Sequence, residues 1–282
     1  MIIAERIDDV RSTVKKWRAE GLTVGLVPTM GALHQGHASL VTAAAKDCDR
    51  VVASVFVNPT QFGQGEDLDS YPRDFEGDCR LLEEKGCHLV FHPSPEEMYP
   101  DDYGTYVNLE SDMTNVLCGK SRPGHFRGVC TVVSKLFNIV TPDRAYFGEK
   151  DAQQLAVIRR MVTDMNYGIE IVGCPTIREN DGLAKSSRNA YLSKEQRKAA
   201  AVLYRSIEEA RKLTEANEKS TSASELIETM TAVISSEPMA KIDYIEAVDG
   251  KTLQPKAQLV PGDLVALAVY IGKTRLIDNF TV

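Results

Sequence analysis

The 282-residue sequence has no dense run of lysine or arginine, no apolar stretch of membrane-spanning length, no CxxC pair and no internal repeat. Each absence excludes something. Without a basic patch, and with a formal net charge of −7, neither nucleic acid nor an anionic membrane is expected as a partner, and any polyanion must be met locally. No run is long and apolar enough for a bilayer. The first eleven residues already mix Glu5, Arg6, Asp8 and Asp9 into an apolar pattern; no signal-peptide core is read there, and a cytoplasmic location is expected. The six cysteines (Cys48, Cys79, Cys87, Cys118, Cys130, Cys174) are far apart and read as buried thiols, with spacing unsuited to a zinc cluster. The polar stretch Glu215 to Ser224 is the nearest approach to low complexity.

What is present is ordinary globular material, 43% hydrophobic and 26% charged, in a chain sized for two unequal domains. Ile7, Val10, Val14 and Trp17 recur at helical spacing and end at Gly21. Thr23 to Val27 and Arg50 to Val57 are apolar without alternation, as expected of strands covered on both faces; between them Ala38 to Cys48 reads as a helix. Helix near Phe75 to Lys85, strand at His88 to Phe91, strand near Tyr106 to Leu109, helix at Val129 to Val140, strand at Arg144 to Phe147, helix at Asp151 to Met165 and strand at Ile169 to Val172 continue the pattern. Strand–helix alternation predicts a Rossmann-like, doubly wound parallel α/β sheet with function at the carboxyl ends of its strands. Beyond Arg188 a charged helix over Lys194 to Glu215, a helix at Ser224 to Ser236 and strands at Ile242 to Val248, Leu264 to Ile271 and Thr274 to Phe280 predict a smaller α+β domain. The expected domains are 1–176 and 177–282.

Three segments carry chemistry. Pro28 to His37 falls between a buried strand and a helix, where unpaired backbone N–H groups and the helix dipole favour an anion. Gly31 and Gly36 permit unusual backbone angles and close approach, and His34 and His37, about one turn apart, can face one phosphate together. The competing reading has both histidines satisfied by local backbone. Lys185, Ser186, Ser187 and Arg188 follow Asn180-Asp181-Gly182 and make a cationic, hydroxyl-bearing phosphate clamp; alone, the segment also reads as a solvated basic turn. At Phe147 to Gln154, Gly148 lets backbone approach a nucleotide, Lys150 offers a point charge for an α-phosphate, and Asp151 either binds ribose or caps the helix.

The His34-Gln35-Gly36-His37 turn resembles the HxGH signature of class I adenylyl-transferring enzymes, and Lys185 to Arg188 resembles their second, KMSKS-type loop. With Phe56 to Phe62 and Arg122-Pro123-Gly124-His125-Phe126, the segments resemble the pantothenate synthetase family, the pantoate/β-alanine ligases. Five motifs occur in order between about Leu26 and Leu192. The resemblance implies an ATP-dependent ligase forming a carbon–nitrogen bond: ATP adenylates the carboxylate of (R)-pantoate, releasing pyrophosphate, and β-alanine displaces AMP. It further implies catalytic roles for His34, His37 and Lys150. ATP binding falls to Met30, Gly31, His34, Gly36, His37, Gly148, Glu149, Lys150, Asp151, Ile177, Lys185, Ser186, Ser187 and Arg188, with the smaller domain closing over the ATP site. Gln61 and Gln154 are implied as pantoate ligands, with Asn58, Tyr71 and Arg122 around the same acid and amine pocket. Magnesium is expected with the ATP phosphates, no protein metal ligand is named, and a homodimer is expected. Many family members carry a hydrophobic residue, often Met, where this chain has Lys185. The alternatives are a nucleotidyltransferase of the same superfamily adenylating another small acid or a phosphorylated substrate, a silent nucleotide-binding module, and a metal site at His34 and His37.

Overall fold

Short β-branched segments assemble one six-stranded parallel sheet. A computed structural model gives the structure, which describes residues 1–217 and 220–282. The chain runs β1 (Ile2–Ala4), α1 (Ile7–Ala19), β2 (Val24–Thr29), α2 (Gln35–Asp47), β3 (Arg50–Val55), α3 (Phe75–Glu84), β4 (Leu89–Phe91), α4 (Pro95–Met98), α5 (Cys118–Ser121), α6 (His125–Val140), β5 (Arg144–Gly148), α7 (Ala152–Asp164) and β6 (Glu170–Cys174). The spatial order is β1-β4-β3-β2-β5-β6, and every pairing is parallel. This is the Rossmann-like sheet that the strand–helix alternation predicts. From β2 the chain first builds through β3 to β4, then returns to the other side of β2 to add β5 and β6. The order therefore reverses between β2 and β5, the switch point at whose carboxyl end such sheets bind ligands.

The interiors of these strands are sealed: Val24, Leu26, Val27, Val51, Val52, Leu89, Val90, Phe91 and Tyr146 are fully buried, as the missing in/out alternation requires. On one face Leu40, Val41 and Ala44 of α2 pack with Val27, Val51 and Val55. Helix α6 buries 13 of its 16 residues.

By compactness the chain divides into two units. One comprises Met1–Leu109, Arg122–Glu149 and Gln154–Pro175; the other comprises Glu110–Ser121, Lys150–Gln153 and Thr176–Val282. The second unit contains α8 (Lys194–Ala199), α9 (Val202–Ala216), β7 (Thr221–Ser222), α10 (Ala223–Ser235), β8 (Ala240–Val248), β9 (Gln258–Leu259), β10 (Leu264–Ile271) and β11 (Thr274–Thr281). Its antiparallel sheet has the order β11-β10-β8. Leu203 and Ile207 of α9 and Leu226, Met230 and Ile234 of α10 share a core with Val265, Leu267 and Val269 of β10.

Several expectations need correction. Tyr106 to Leu109 forms no strand: the Val107 N–H donates to the Thr131 hydroxyl of α6 (3.0 Å), a side-chain partner that takes the place of a ladder. The charged helix is broken in two. Ala201 and Leu203 bond three residues back, to Lys198 and Ala200, where Ala199 and Ala200 sink into the core. Alanines carry no breaking signal, so only the packing reveals the interruption. Helix α6 starts at His125, four residues earlier than the apolar periodicity, because Gly124 at φ +81° turns the chain into it. Strand β1 is too short to be read from sequence. Of the polar stretch, residues 218 and 219 lie outside the described residues.

Candidate active site

The turn between β2 and α2 has already committed its backbone. The Gly31 N–H donates to Thr29 Oγ1 (3.3 Å), those of Ala32 and Leu33 to Asp78 Oδ2 and Oδ1 (3.0 and 2.7 Å), that of His34 to His37 Nδ1 (3.3 Å) and that of Gly36 to His34 Nδ1 (3.1 Å). This corrects the expectation of an open main-chain cradle: the acceptors come from within the chain. His34 is the N-cap of α2 and His37 returns the bond, a capping box built from two imidazoles. Because each Nδ1 accepts, the neutral rings carry their hydrogens on Nε2, so each presents an Nε2–H donor. The ring centroids lie 4.2 Å apart. Backbone satisfaction thus uses one nitrogen of each ring, Nδ1.

The two glycines of the turn act differently. Gly31 takes φ +88°, a conformation open to glycine. At Gly36 the reason is space rather than angle, since a Cβ there would lie 2.8 Å from His34 Cε1 and would push the capping ring away.

After β3 a short 3₁₀ turn, Pro59–Gln61, carries Gln61, which is 9% exposed. Its Oε1 accepts from Asn58 Nδ2 (3.0 Å) and its Nε2 donates to Met30 Sδ (2.9 Å), so residues expected on the ATP and acid sides of the site touch. Asn58 is almost spent on the protein: Nδ2 also reaches Gly128 O (3.2 Å), and Oδ1 accepts from Tyr99 Oη (2.7 Å) and Thr60 Oγ1 (2.9 Å). Tyr99 is shifted up to about 12 by burial, eased by the Thr60 bond. Gly128 of α6 abuts this turn directly; a Cβ there would lie 2.6 Å from Gln61 Cα. Tyr71 is buried, its ring edge-on to Phe62.

Arg122 is held by Glu66 through Nε and Nη2 (both 2.6 Å), and its Nη1 lies 3.0 Å from His125 Nε2. His125 Nδ1 is 2.8 Å from Gln61 O. A carbonyl can only accept, so Nδ1 carries the hydrogen and Nε2 accepts from Arg122. The chain Glu66–Arg122–His125 therefore ends on the backbone of Gln61. Burial raises the Glu66 carboxyl, but the Arg122 hydrogen bonds and charge outweigh it and bring it to about 2.

Gly148 ends β5 beside β2, and among the described residues, its chain neighbours aside, no atom lies within 4 Å of where its Cβ would be. Glu149 to Asp151 form a 3₁₀ turn leading into α7. Lys150 Nζ is 3.4 Å from Asp151 Oδ2, and the Lys150 carbonyl accepts from Asn279 Nδ2 (2.8 Å). Gln154 is half-buried in the first turn of α7, while its neighbour Gln153 is tied to the Met113, Val116 and Cys118 backbone.

Ile177 and Lys185 face each other across a hairpin, the Lys185 N–H donating to Ile177 O (2.9 Å). Lys185 Nζ pairs with Glu179 Oε2 at 2.9 Å. Ser186 Oγ accepts from the Arg188 N–H (3.3 Å) and caps the 3₁₀ turn Ser187–Tyr191. Arg178 clamps the hairpin: both Nη atoms reach buried Asp278 (2.6 and 2.9 Å), Nη1 reaches Gly182 O (3.0 Å), and the guanidinium lies over the Tyr204 ring.

Sequence reasoning missed Asp78, Glu66 and Asn189, and gave His125 no role. For Asp78 a signal existed, since a charge occupies the apolar stripe between Phe75 and Leu82. Asn189 Oδ1 is buried without a hydrogen-bond partner among the described residues; the sequence carries no hint of it.

A family model described as pantoate-beta-alanine ligase matches residues 2–281. Pantothenate synthetase of Clostridium acetobutylicum is 57% identical over 281 residues, covering 100% of this chain and 99% of the relative; that of Enterococcus faecalis is 56% identical over 281 residues, covering 100% of this chain and 99% of the relative. Among solved structures, pantothenate synthetase from Thermus thermophilus superposes with TM-score 0.95 at 46% identity, covering 100% of this chain and 99% of that one. The pantoate-beta-alanine ligase of Francisella tularensis, complexed with beta-gamma ATP and beta-alanine, has TM-score 0.83 at 37% identity, covering 100% of this chain and 97% of that one.

Proposed function

That the chain belongs to the pantoate-beta-alanine ligase family is the premise from which we propose how its residues work. The protein is an ATP-using ligase that joins pantoate to β-alanine. A carboxylate is a poor electrophile, so the pantoate carboxylate attacks the α-phosphorus of ATP, pyrophosphate leaves, and the β-alanine amine displaces AMP from the acyl-adenylate. No covalent enzyme nucleophile is involved; alignment and charge stabilisation do the catalysis.

The observation that carries this reading is the imidazole pair, whose Nδ1 atoms are fixed by backbone N–H groups. The rings of His34 and His37 are pre-set to donate from Nε2 to phosphate oxygens as charge accumulates. Lys150 meets the α-phosphate. Lys185, Ser186, Ser187 and Arg188 meet the β- and γ-phosphates, and Met30, Gly31, Gly36, Gly148, Glu149, Asp151 and Ile177 line the nucleotide. Gln61 and Gln154 bind pantoate. Asn58 and Arg122 serve that pocket through Gln61, because their own polar groups are engaged with protein, and Tyr71 lines it. Magnesium accompanies ATP through phosphate oxygens and water, which asks no cage of the protein, and among the described residues no cluster of three ligating side chains forms one. No helix among the described residues is long and apolar enough to cross a membrane. A cytoplasmic homodimer completes the proposal, checked by sedimentation at twice the 31.1 kDa chain mass.

Incubating the protein with ATP, magnesium, pantoate and β-alanine tests the chemistry. AMP and pyrophosphate should form in equal amounts, with enzyme-bound acyl-adenylate accumulating when β-alanine is withheld. Release of ADP overturns the adenylate route. Chelation should stop turnover and magnesium alone restore it.

A further inference from the structure

Asp78 is a buried charge for which the reaction above has no use. It lies on the inward face of α3 and is 4% exposed, where a carboxylate is costly unless its oxygens are satisfied. Among the described residues no lysine or arginine pairs with it. Its hydrogen bonds come from main chain: Leu33 N–H on Oδ1 at 2.7 Å and Ala32 N–H on Oδ2 at 3.0 Å. The neighbouring backbone is shaped around it. Ala32 adopts φ +50°, which alanine disfavours. Gly31 admits the carboxylate, since a Cβ there would lie 3.0 Å from Oδ2. Leu33 is followed by His34, whose ring caps α2 and accepts from the Gly36 N–H, while His37 accepts from the His34 N–H.

We infer that Asp78 is a positioning residue for catalysis, holding the left-handed turn at Gly31 and Ala32, and the Leu33 N–H after it, so that His34 and His37 are presented as a fixed pair of donors. The inference rests on the reading that this pair acts on the ATP phosphates. Asp78 touches neither substrate nor reacting atoms; its whole effect runs through the histidines.

The test is a double-mutant cycle on the full-length protein in the ligase assay, with D78N, H37A and the pair. D78N should lower kcat at least tenfold and leave KM for pantoate within twofold. D78N/H37A should turn over no more slowly than H37A within about twofold, because with one donor gone the anchor has no pair left to hold in register. A32G added to D78N should recover at least threefold, since glycine holds φ +50° without an anchor. Thermal unfolding separates loss of fold from loss of turnover. If D78N does not fold, G31A, which presses on the same carboxylate, should give the same non-additivity with H37A. Multiplying effects in the cycle, no recovery by A32G, or D78N within twofold of the parent kcat would overturn the inference while leaving the histidine site intact. Unchanged turnover in H37A would defeat the site reading, and this inference with it.

Discussion

Each imidazole of the β2–α2 turn has a structural nitrogen and, in the proposed reaction, a chemical one, and substitution at His37 can separate them. In the parent, Nδ1 accepts the His34 N–H at 3.3 Å, a long bond at the weak end of capping interactions. Its loss in His37→Ala should cost about 0.5 kcal/mol, or roughly 1–2 °C in Tm for a chain of this size. Loss of the Nε2–H donor should cost far more in rate, about 3–4 kcal/mol of transition-state stabilisation, equivalent to a 10²–10³-fold fall in kcat. His37→Asn places its amide oxygen near Nδ1 but ends short of Nε2. It should keep the parent Tm and lose nearly all the turnover, whereas Ala loses both. Calorimetry with quantification of AMP under saturating substrates distinguishes the two. If Asn melts as Ala does yet turns over within tenfold of the parent, the division of labour between the nitrogens is wrong.

Other tests follow from the same geometry. Arg178→Ala leaves buried Asp278 without its partner and should cost about 3–5 kcal/mol by urea unfolding; Arg178→Lys should rescue little, because it supplies neither the fork nor the plane over Tyr204. The Glu66 carboxyl is lowered to about 2 when folded, so its contribution is complete above the unfolded value near 4.5 and is lost as pH falls towards 2. The full shift is worth about 3 kcal/mol, and because water still reaches Glu66 its expected share is roughly 1 kcal/mol; stability of Glu66→Gln should lack that acid limb. Lys185→Met should raise KM for ATP about threefold, because the Glu179 pair at 2.9 Å shares the charge that Lys185 turns to the phosphates and partly exposed pairs contribute about 1 kcal/mol or less. A change above tenfold would show that Lys185 meets phosphate unaided.

The parallel sheet was legible because buried strands broke the polar alternation and helices separated them, a pattern few other folds produce. The two-histidine turn was visible for the same reason, since its place after β2 follows from that pattern. Its acceptors were not. Nothing in Phe75 to Glu84 says that the one charge on the apolar face reaches back to Ala32 and Leu33, a contact 45 residues distant in sequence for Leu33. The break between α8 and α9 and the loss of a strand at Tyr106 to Leu109 are likewise decided by tertiary packing, which propensity does not contain. Arg122 illustrates a different limit: an arginine in a motif advertises anion binding, whereas here its fork is filled by Glu66 of the same chain.

Gly128 lies against the carbonyl of Thr60 and the Cα of Gln61, with Asn58 bridging to its own carbonyl. That stretch of the pocket proposed for the acid is main chain on main chain, with no side chain between to be lengthened or trimmed. Its depth is consequently inherited from the path of α6 rather than chosen residue by residue. On the proposed assignment of Gln61 and Gln154, altering which acid is accepted must then proceed by exchanging those amides, since the ground beneath Gln61 offers mutation nothing to adjust.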